Sequence, residues 1–363
     1  MGQVQVAIGT RKGLFLARSR DGRATWEIDG PHFTMEEVYS VGIDVRAERP
    51  RILVGATSEH WGPSVFRSDD LGASWRETER GSIRFPDWTD TALRRVWQLQ
   101  PAGADQPGVV YAGTEPAALF RSEDGGETFD LVEALWNHPH RPTWQPGGGG
   151  LCLHTVLPHP TDPEAVAVGI STGGVYRTSD GGKTWEPSNT GIAAHYLPDP
   201  HPEYGQCVHK MGRNPGRPDQ VFLQNHGGVY RSDDGGNTWT SIGAGLPSDF
   251  GFPIVVHPHR PGWAYVFPLT ADAQRMPPDL RCQVYRTEDA GETWRELSTG
   301  LPRQDHYGTV LRDAMTADPD DPAGIYFGNR NGEVYASRDE GESWQLLAAH
   351  LPDILCVRAA VVG

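Results

Sequence analysis

The chain has 363 residues, 37% of them hydrophobic, with 44 glycines, 30 prolines and a formal net charge of −15. The acidic balance argues against a nucleic-acid backbone or an anionic membrane as partner, since both reward a surplus of Lys and Arg. No apolar run approaches the ~18 residues of a membrane-spanning helix, and short apolar runs punctuated by Gly and Pro suit an all-β fold.

The N-terminal segment MGQVQVAIGTRKGLFLARS enters a strand pattern almost at once. It lacks the basic start, apolar core and cleavage site of a secretion signal, so a cytoplasmic location is expected. Cys152, Cys207, Cys282 and Cys356 are too few in a chain of this length to make a disulfide framework. Thereafter one segment recurs along the chain. It appears as SRDGRATW (19–26), SDDLGASW (68–75), SEDGGETF (122–129), TSDGGKTW (178–185), SDDGGNTW (232–239), TEDAGETW (287–294) and SRDEGESW (337–344). The central aspartates, Asp21, Asp70, Asp124, Asp180, Asp234, Asp289 and Asp339, are separated by 49, 54, 56, 54, 55 and 50 residues. That interval matches one four-stranded sheet per repeat.

Each position of the segment has a task in a hairpin turn. The carboxylate can accept hydrogen bonds from its own loop, as in Asx turns. The glycine supplies a positive φ at little steric cost, and the aromatic ring covers the turn from the core side. Seven such aspartates read as structural fasteners rather than as catalytic or calcium-binding groups. Arg23 stands where the first segment should carry its glycine, and Phe129 replaces Trp in the third. Around each segment the strands alternate with period 2, as in AVAVGI, GGVYRTSD, TWEPS and LCLHTVLPHP. The first repeat supplies only three strands, at 3–29, and the terminal ILCVRAAVV has the pattern of the missing inner strand. The expectation is an all-β, seven-bladed β-propeller of four-stranded antiparallel blades, a single domain over 1–363. The C-terminal strand would join the N-terminal blade and close the ring, leaving no open sheet edge.

With these motifs the chain resembles the BNR or Asp-box propeller family over nearly its whole length. That family includes sialidases, xyloglucan-cleaving glycosidases, the lumenal domain of sortilin and the photosystem II assembly factor. The resemblance implies the fold and leaves activity open, because function is grafted onto a fold separately. Sialidases of the family have six blades, an arginine triad and a Tyr nucleophile paired with Glu. Here seven segments are present, and no residues map onto that triad. The xyloglucan-cleaving members use two facing propellers, whereas this sequence encodes one.

The fasteners mark one face, so a site is expected at the opposite rim, around the channel mouth. Its loops are long: 80–95, 136–150, 192–206, 270–283 and 303–308. Aligning inner strands by their closing turns puts His154 and His209 in one slot, with Gln98, Phe252, Asp313 and Arg358 elsewhere in the ring. Cys152, Cys207 and Cys356 stand two positions earlier.

Three readings follow. The ring lines a water-filled channel. Alternatively, His154 and His209 with a carboxylate or a third imidazole, His226 or His60, hold a divalent metal. Or it is an acid/base site, with His154, His209, Asp313 and Tyr307 catalytic. In that case Gln98, Glu115, Arg312, Arg358, Trp61 and Trp136 bind substrate. No cofactor is required by the residues, and a divalent metal is the one candidate. A carboxylate pair for glycoside hydrolysis would come from Glu59, Asp90, Glu115, Glu203 or Asp305. The function expected is a glycosidase or lyase acting on a small or oligomeric carbohydrate. The alternative is a non-catalytic propeller that holds a protein or peptide partner.

Overall fold

A computed structural model describes residues 2–78 and 83–362; positions 80–82 of the loop at 80–95 therefore lie outside the described residues. The fold is nearly all β. Helical turns are short, the longest being the single turn Glu133–Trp136. No helix among the described residues is long and apolar enough to cross a membrane.

Five sheets have four strands each, and a sixth has eight. In each four-stranded sheet the strands follow chain order, as in Leu153–Pro158, Val166–Ile170, Gly174–Thr178 and Glu186–Pro187. In the eight-stranded sheet the C-terminal strand Ile354–Val362 lies antiparallel against Gln3–Thr10. It also meets Val310–Ala317 in parallel, at the Asp313–Cys356 pair. The first strand of each sheet touches the first strand of the next. The contacts run from Ile354–Val362 to Glu37–Asp44, Arg95–Pro101, Leu153–Pro158, Val208–Asn214, Gly251–Val256 and Val310–Ala317, and return to Ile354–Val362.

The apolar core lies between neighbouring sheets. One cluster, for example, packs Ala167 and Val175 against Val208, Met211, Leu223 and Trp239 of the following sheet. Inner strands approach so closely that some positions exclude a side chain. A Cβ on Gly42 would fall 2.7 Å from the Leu99 carbonyl oxygen.

The seven recurrent segments share one bonding pattern. In the third, Ser122 Oγ donates to Asp124 Oδ1 (2.8 Å), the Thr128 amide donates to the same oxygen (3.0 Å), and Thr128 Oγ1 donates to Oδ2 (2.7 Å). Equivalent bonds reach Asp21, Asp70, Asp180, Asp234, Asp289 and Asp339. A carboxylate committed to its own turn in this way has no free oxygen for catalysis. Arg23 takes φ +68° where the other segments place a glycine, and its side chain has a use of its own. The guanidinium crosses to the last sheet and grips Asp318 bidentately, at 2.8 and 2.6 Å.

Candidate functional site

The inner strands share an irregularity that shapes the site. Pairing skips one residue in five of them: Tyr39, Trp97, His154, His209 and Leu355 each sit between two paired neighbours without a partner of their own on the next strand. A bulged residue bends its strand and is re-aimed, which is why bulges gather beside sites. The structural equivalent of His154 and His209 is therefore Trp97. Gln98 instead aligns with Lys210, one place further on. The closing turns misplace this slot by one because the turn after Pro101 (102–109) is one residue longer than those at 159–165 and 214–220.

Four of the bulged residues, Tyr39, Trp97, His209 and Leu355, line a cavity of about 370 Å³. Phe250, Phe252 and Tyr196 complete its aromatic wall, and Gly147, Gly148 and Gly149 form part of its rim. Arg275, Arg312, Asp272 and Asp313 bring charge into it, and Cys207 and His226 stand beside His209. Arg312 lies over the Trp97 ring at 5.3 Å and donates to Ser171 Oγ at 3.1 Å. Arg275 lies 5.3 Å from the Phe252 ring centroid and pairs with Asp272 at 3.0 Å. Glu115 is not in the lining. Its Oε2 accepts from Trp97 Nε1 (3.1 Å) and from Arg95 (3.0 Å), so it fixes the indole that forms the wall.

Beneath the cavity lies a buried ion cluster. Lys210 Nζ donates to Asp313 Oδ1 (2.6 Å) and to Gln98 Oε1 (3.2 Å), and Arg358 binds the same Asp313 oxygen. Burial opposes ionisation of Asp313, but Lys210 and Arg358 outweigh it and hold the carboxyl below its usual range. Lys210 moves the other way from a paired ammonium, down to about 8. Burial dominates there, and Arg358 and Arg312 repel it while Asp313 only partly compensates. The carboxylate answers to two cations, whereas each cation has half a carboxylate. Asp313 Oδ2 is buried without a hydrogen-bond partner.

His154 departs from its expected role. It is fully buried, its Nε2 donates to the Val208 carbonyl at 2.9 Å, and its Nδ1 accepts from Thr155 Oγ1 at 3.0 Å. Both ring nitrogens are occupied, and burial, with Arg312 and Lys210 nearby, keeps the ring neutral. The structure does not bring His154 into the cavity or the metal-competent group. The group it assembles is Cys207, His209 and His226, whose donor atoms lie within 4.8 Å of one another. His209 Nδ1 donates to the Gly251 carbonyl at 2.6 Å, which leaves Nε2 as an acceptor 3.6 Å from Cys207 Sγ. Burial first, and Arg312 second, lower the His209 pKa to about 3.

Five further expected residues fall outside the cavity lining, of which Gln98 and Arg358 belong to the ion cluster beneath it. Trp61 is 90% exposed and Tyr307 is 52% exposed. Trp136 is buried against Phe85, with Arg141 over its face, because its loop folds back into the core between sheets. Glu59, Asp90, Glu203 and Asp305 are likewise absent from the lining. Missed at sequence level were Tyr39, Trp97, Phe250, Asp272, Arg275 and Lys210. Cys207 was placed in the inner ring but given no ligand role, and its Cys-x-His spacing is shared by Cys152 and His154, so spacing alone could not single it out.

No family model matches the chain. A xyloglucanase of Hypocrea jecorina (strain QM6a) is 23% identical over 318 residues, covering 74% of this chain and 34% of that protein. The chain thus spans about a third of the length of that relative. The crystal structure of a GH74 enzyme from Niastella koreensis superposes with a TM-score of 0.60 at 17% identity, covering 95% of this chain and 55% of that one. The structure of YCF48 bound to D1 peptide gives 0.51 at 15% identity, covering 89% and 84%. These likenesses show the fold: the chain is a β-propeller.

Proposed function

We propose that the chain is a single-domain, seven-bladed, closed propeller that binds a small acidic carbohydrate in the cavity at its channel mouth. The closed circuit of inner-strand contacts and the pairing of Ile354–Val362 with Gln3–Thr10 support the blade count and the closure. The reading of the ligand rests on one observation: the cavity sets Arg312 and Arg275 against the Trp97 and Phe252 rings. Aromatic faces stack on sugar rings, and a guanidinium fork matches a carboxylate. At about 370 Å³ the space is near the lower end for ligand pockets, about 300–1,000 Å³, and suits one or two sugar units.

The xyloglucanase relative supports carbohydrate as the ligand class. Hydrolysis needs one protonated and one ionised carboxyl group. The two carboxylates that line the cavity, Asp272 and Asp313, are each salt-bridged. That leaves no ready general acid, so the proposed activity, if catalysis follows binding, is elimination next to the sugar carboxylate rather than hydrolysis. A peptide or protein partner is the second reading, favoured by the exposed rings of Trp61 and Trp88 on the loops. Four unpaired cysteines support a reducing, cytoplasmic setting.

Titration calorimetry with glucuronate- and galacturonate-containing disaccharides, beside neutral xyloglucan fragments, tests the ligand. Acidic sugars should bind, and Arg312→Gln should weaken them by at least about tenfold, the loss of one charge-assisted bond. Equal binding of neutral and acidic sugars, or no binding of either, refutes the reading.

A further inference from the structure

We propose that Cys207, His209 and His226 form a mononuclear site for a zinc-class divalent ion, with its open position facing the cavity. The inference goes beyond the carbohydrate reading and does not depend on it.

The site is built by a single hairpin. Cys207 immediately precedes the Val208–Asn214 strand, and the bulge at His209 turns its ring to within 3.6 Å of the Cys207 sulfur. His226 follows the partner strand directly, and its amide donates to the Cys207 carbonyl at 2.9 Å, which pins the turn opposite the thiol. The three side chains therefore converge through backbone pairing, and all three line the cavity.

The geometry is already close to coordination. Zinc takes sulfur at ~2.3 Å and imidazole nitrogen at ~2.0–2.1 Å in a tetrahedral array, which implies a sulfur–nitrogen separation of about 3.5 Å. Cys207 Sγ and His209 Nε2 stand 3.6 Å apart, and all three donor atoms lie within 4.8 Å of one another. Rotation of the His226 ring covers what remains, and that ring is partly exposed, at 32% of its side-chain area.

A metal-ligating histidine normally donates its second nitrogen to an oxygen, which fixes the tautomer and aims the other lone pair. His209 already has this arrangement, with Nδ1 on the Gly251 carbonyl. A purely structural core histidine would not also need a thiol at its remaining nitrogen. One thiolate and two imidazoles select zinc or a neighbouring late first-row ion over magnesium or calcium, which require oxygen donors. Asp272, 4.0 Å from His226 Nε2, pairs with Arg275 and offsets its charge. Three protein donors leave a fourth position, as in catalytic rather than closed structural zinc sites. An oxygen of a cavity ligand can occupy it.

The test uses full-length protein stripped with chelator and titrated with zinc alone, and separately with cobalt(II), in the absence of sugar. Expected are one ion per chain and a thiolate-to-cobalt charge-transfer band in the near ultraviolet. Cys207→Ser should abolish that band, and His226→Ala should weaken zinc by at least about tenfold, the loss that even an outer-shell partner causes. Because His209 is buried, its replacement is left out in favour of these two, whose folding is checked by circular dichroism. His154→Gln is the control and should keep the band. Failure of folded wild type to bind either ion overturns the proposal, as does a cobalt band that survives in Cys207→Ser. Sugar binding that persists in metal-free protein would leave the carbohydrate reading standing whichever way the metal result falls.

Discussion

Restoring the consensus glycine at position 23 should destabilise the protein. Local rules say the opposite. A non-glycine residue in the left-handed region costs roughly 1–2 kcal/mol, and Arg23 sits at φ +68°. Arg23→Gly removes that strain. It also removes a guanidinium that is only 6% exposed from a carboxylate, Asp318, that is 0% exposed. Breaking a buried pair by removing one partner costs about 3–5 kcal/mol. The Tyr326 hydroxyl, at 2.7 Å, and the Gly324 amide remain on Asp318, but neither carries charge. The net loss is therefore about 2–3 kcal/mol. With an unfolding entropy of about 2.1 cal/mol/K per residue, a chain of 363 residues loses roughly 3–4 °C of melting temperature. Scanning calorimetry measures it, and a double-mutant cycle with Asp318→Asn should return a coupling of about 2 kcal/mol or more. A melting temperature that stays or rises in Arg23→Gly, or a coupling near zero, would refute the account of why arginine stands there.

Two further outcomes follow from the inner ring. Asp313→Asn strands Lys210 and Arg358 beneath the cavity, and because Lys210 and Arg358 keep 12% and 20% exposure the loss belongs at the lower end of the range for buried pairs, about 3 kcal/mol by urea unfolding at pH 7; a loss under about 1 kcal/mol would mean that the cluster is solvated in solution. His154, buried and neutral, has its folded pKa well below the ordinary value. The unfolded chain therefore binds a proton below about pH 6.5 that the folded chain refuses, so this contribution is complete above that pH and falls as pH drops, by about 1.4 kcal/mol per unit. Urea midpoints at pH 7, 6 and 5 should show a slope that is shallower by that amount in His154→Gln, and identical slopes in both proteins would count against a neutral buried ring.

Much of the fold was legible because it repeats. The seven aspartate segments announce turns through chemistry confined to eight residues, and the structure places the same hydrogen bonds in each. The terminal ILCVRAAVV could be read as an inner strand because its partner pattern was missing at the start of the chain, and Ile354–Val362 does pair with Gln3–Thr10. Of the residues singled out at that rim, His209, His226, Arg312 and Asp313 line the cavity.

What sequence could not supply was register. The Trp97 strand closes through a turn one residue longer than those of His154 and His209, so Trp97, not Gln98, shares their slot, and no spacing rule reveals it. Nor does residue type distinguish a histidine whose two nitrogens are spent on Val208 and Thr155 from one that faces a thiol. Trp136 and Trp61 look alike as loop tryptophans, yet one is in the core and the other in solvent. Local turn chemistry is encoded by neighbours in the chain and can be read there. The cavity gathers side chains from six different sheets and the ion cluster from three, and only the packing of those sheets against one another decides what meets there.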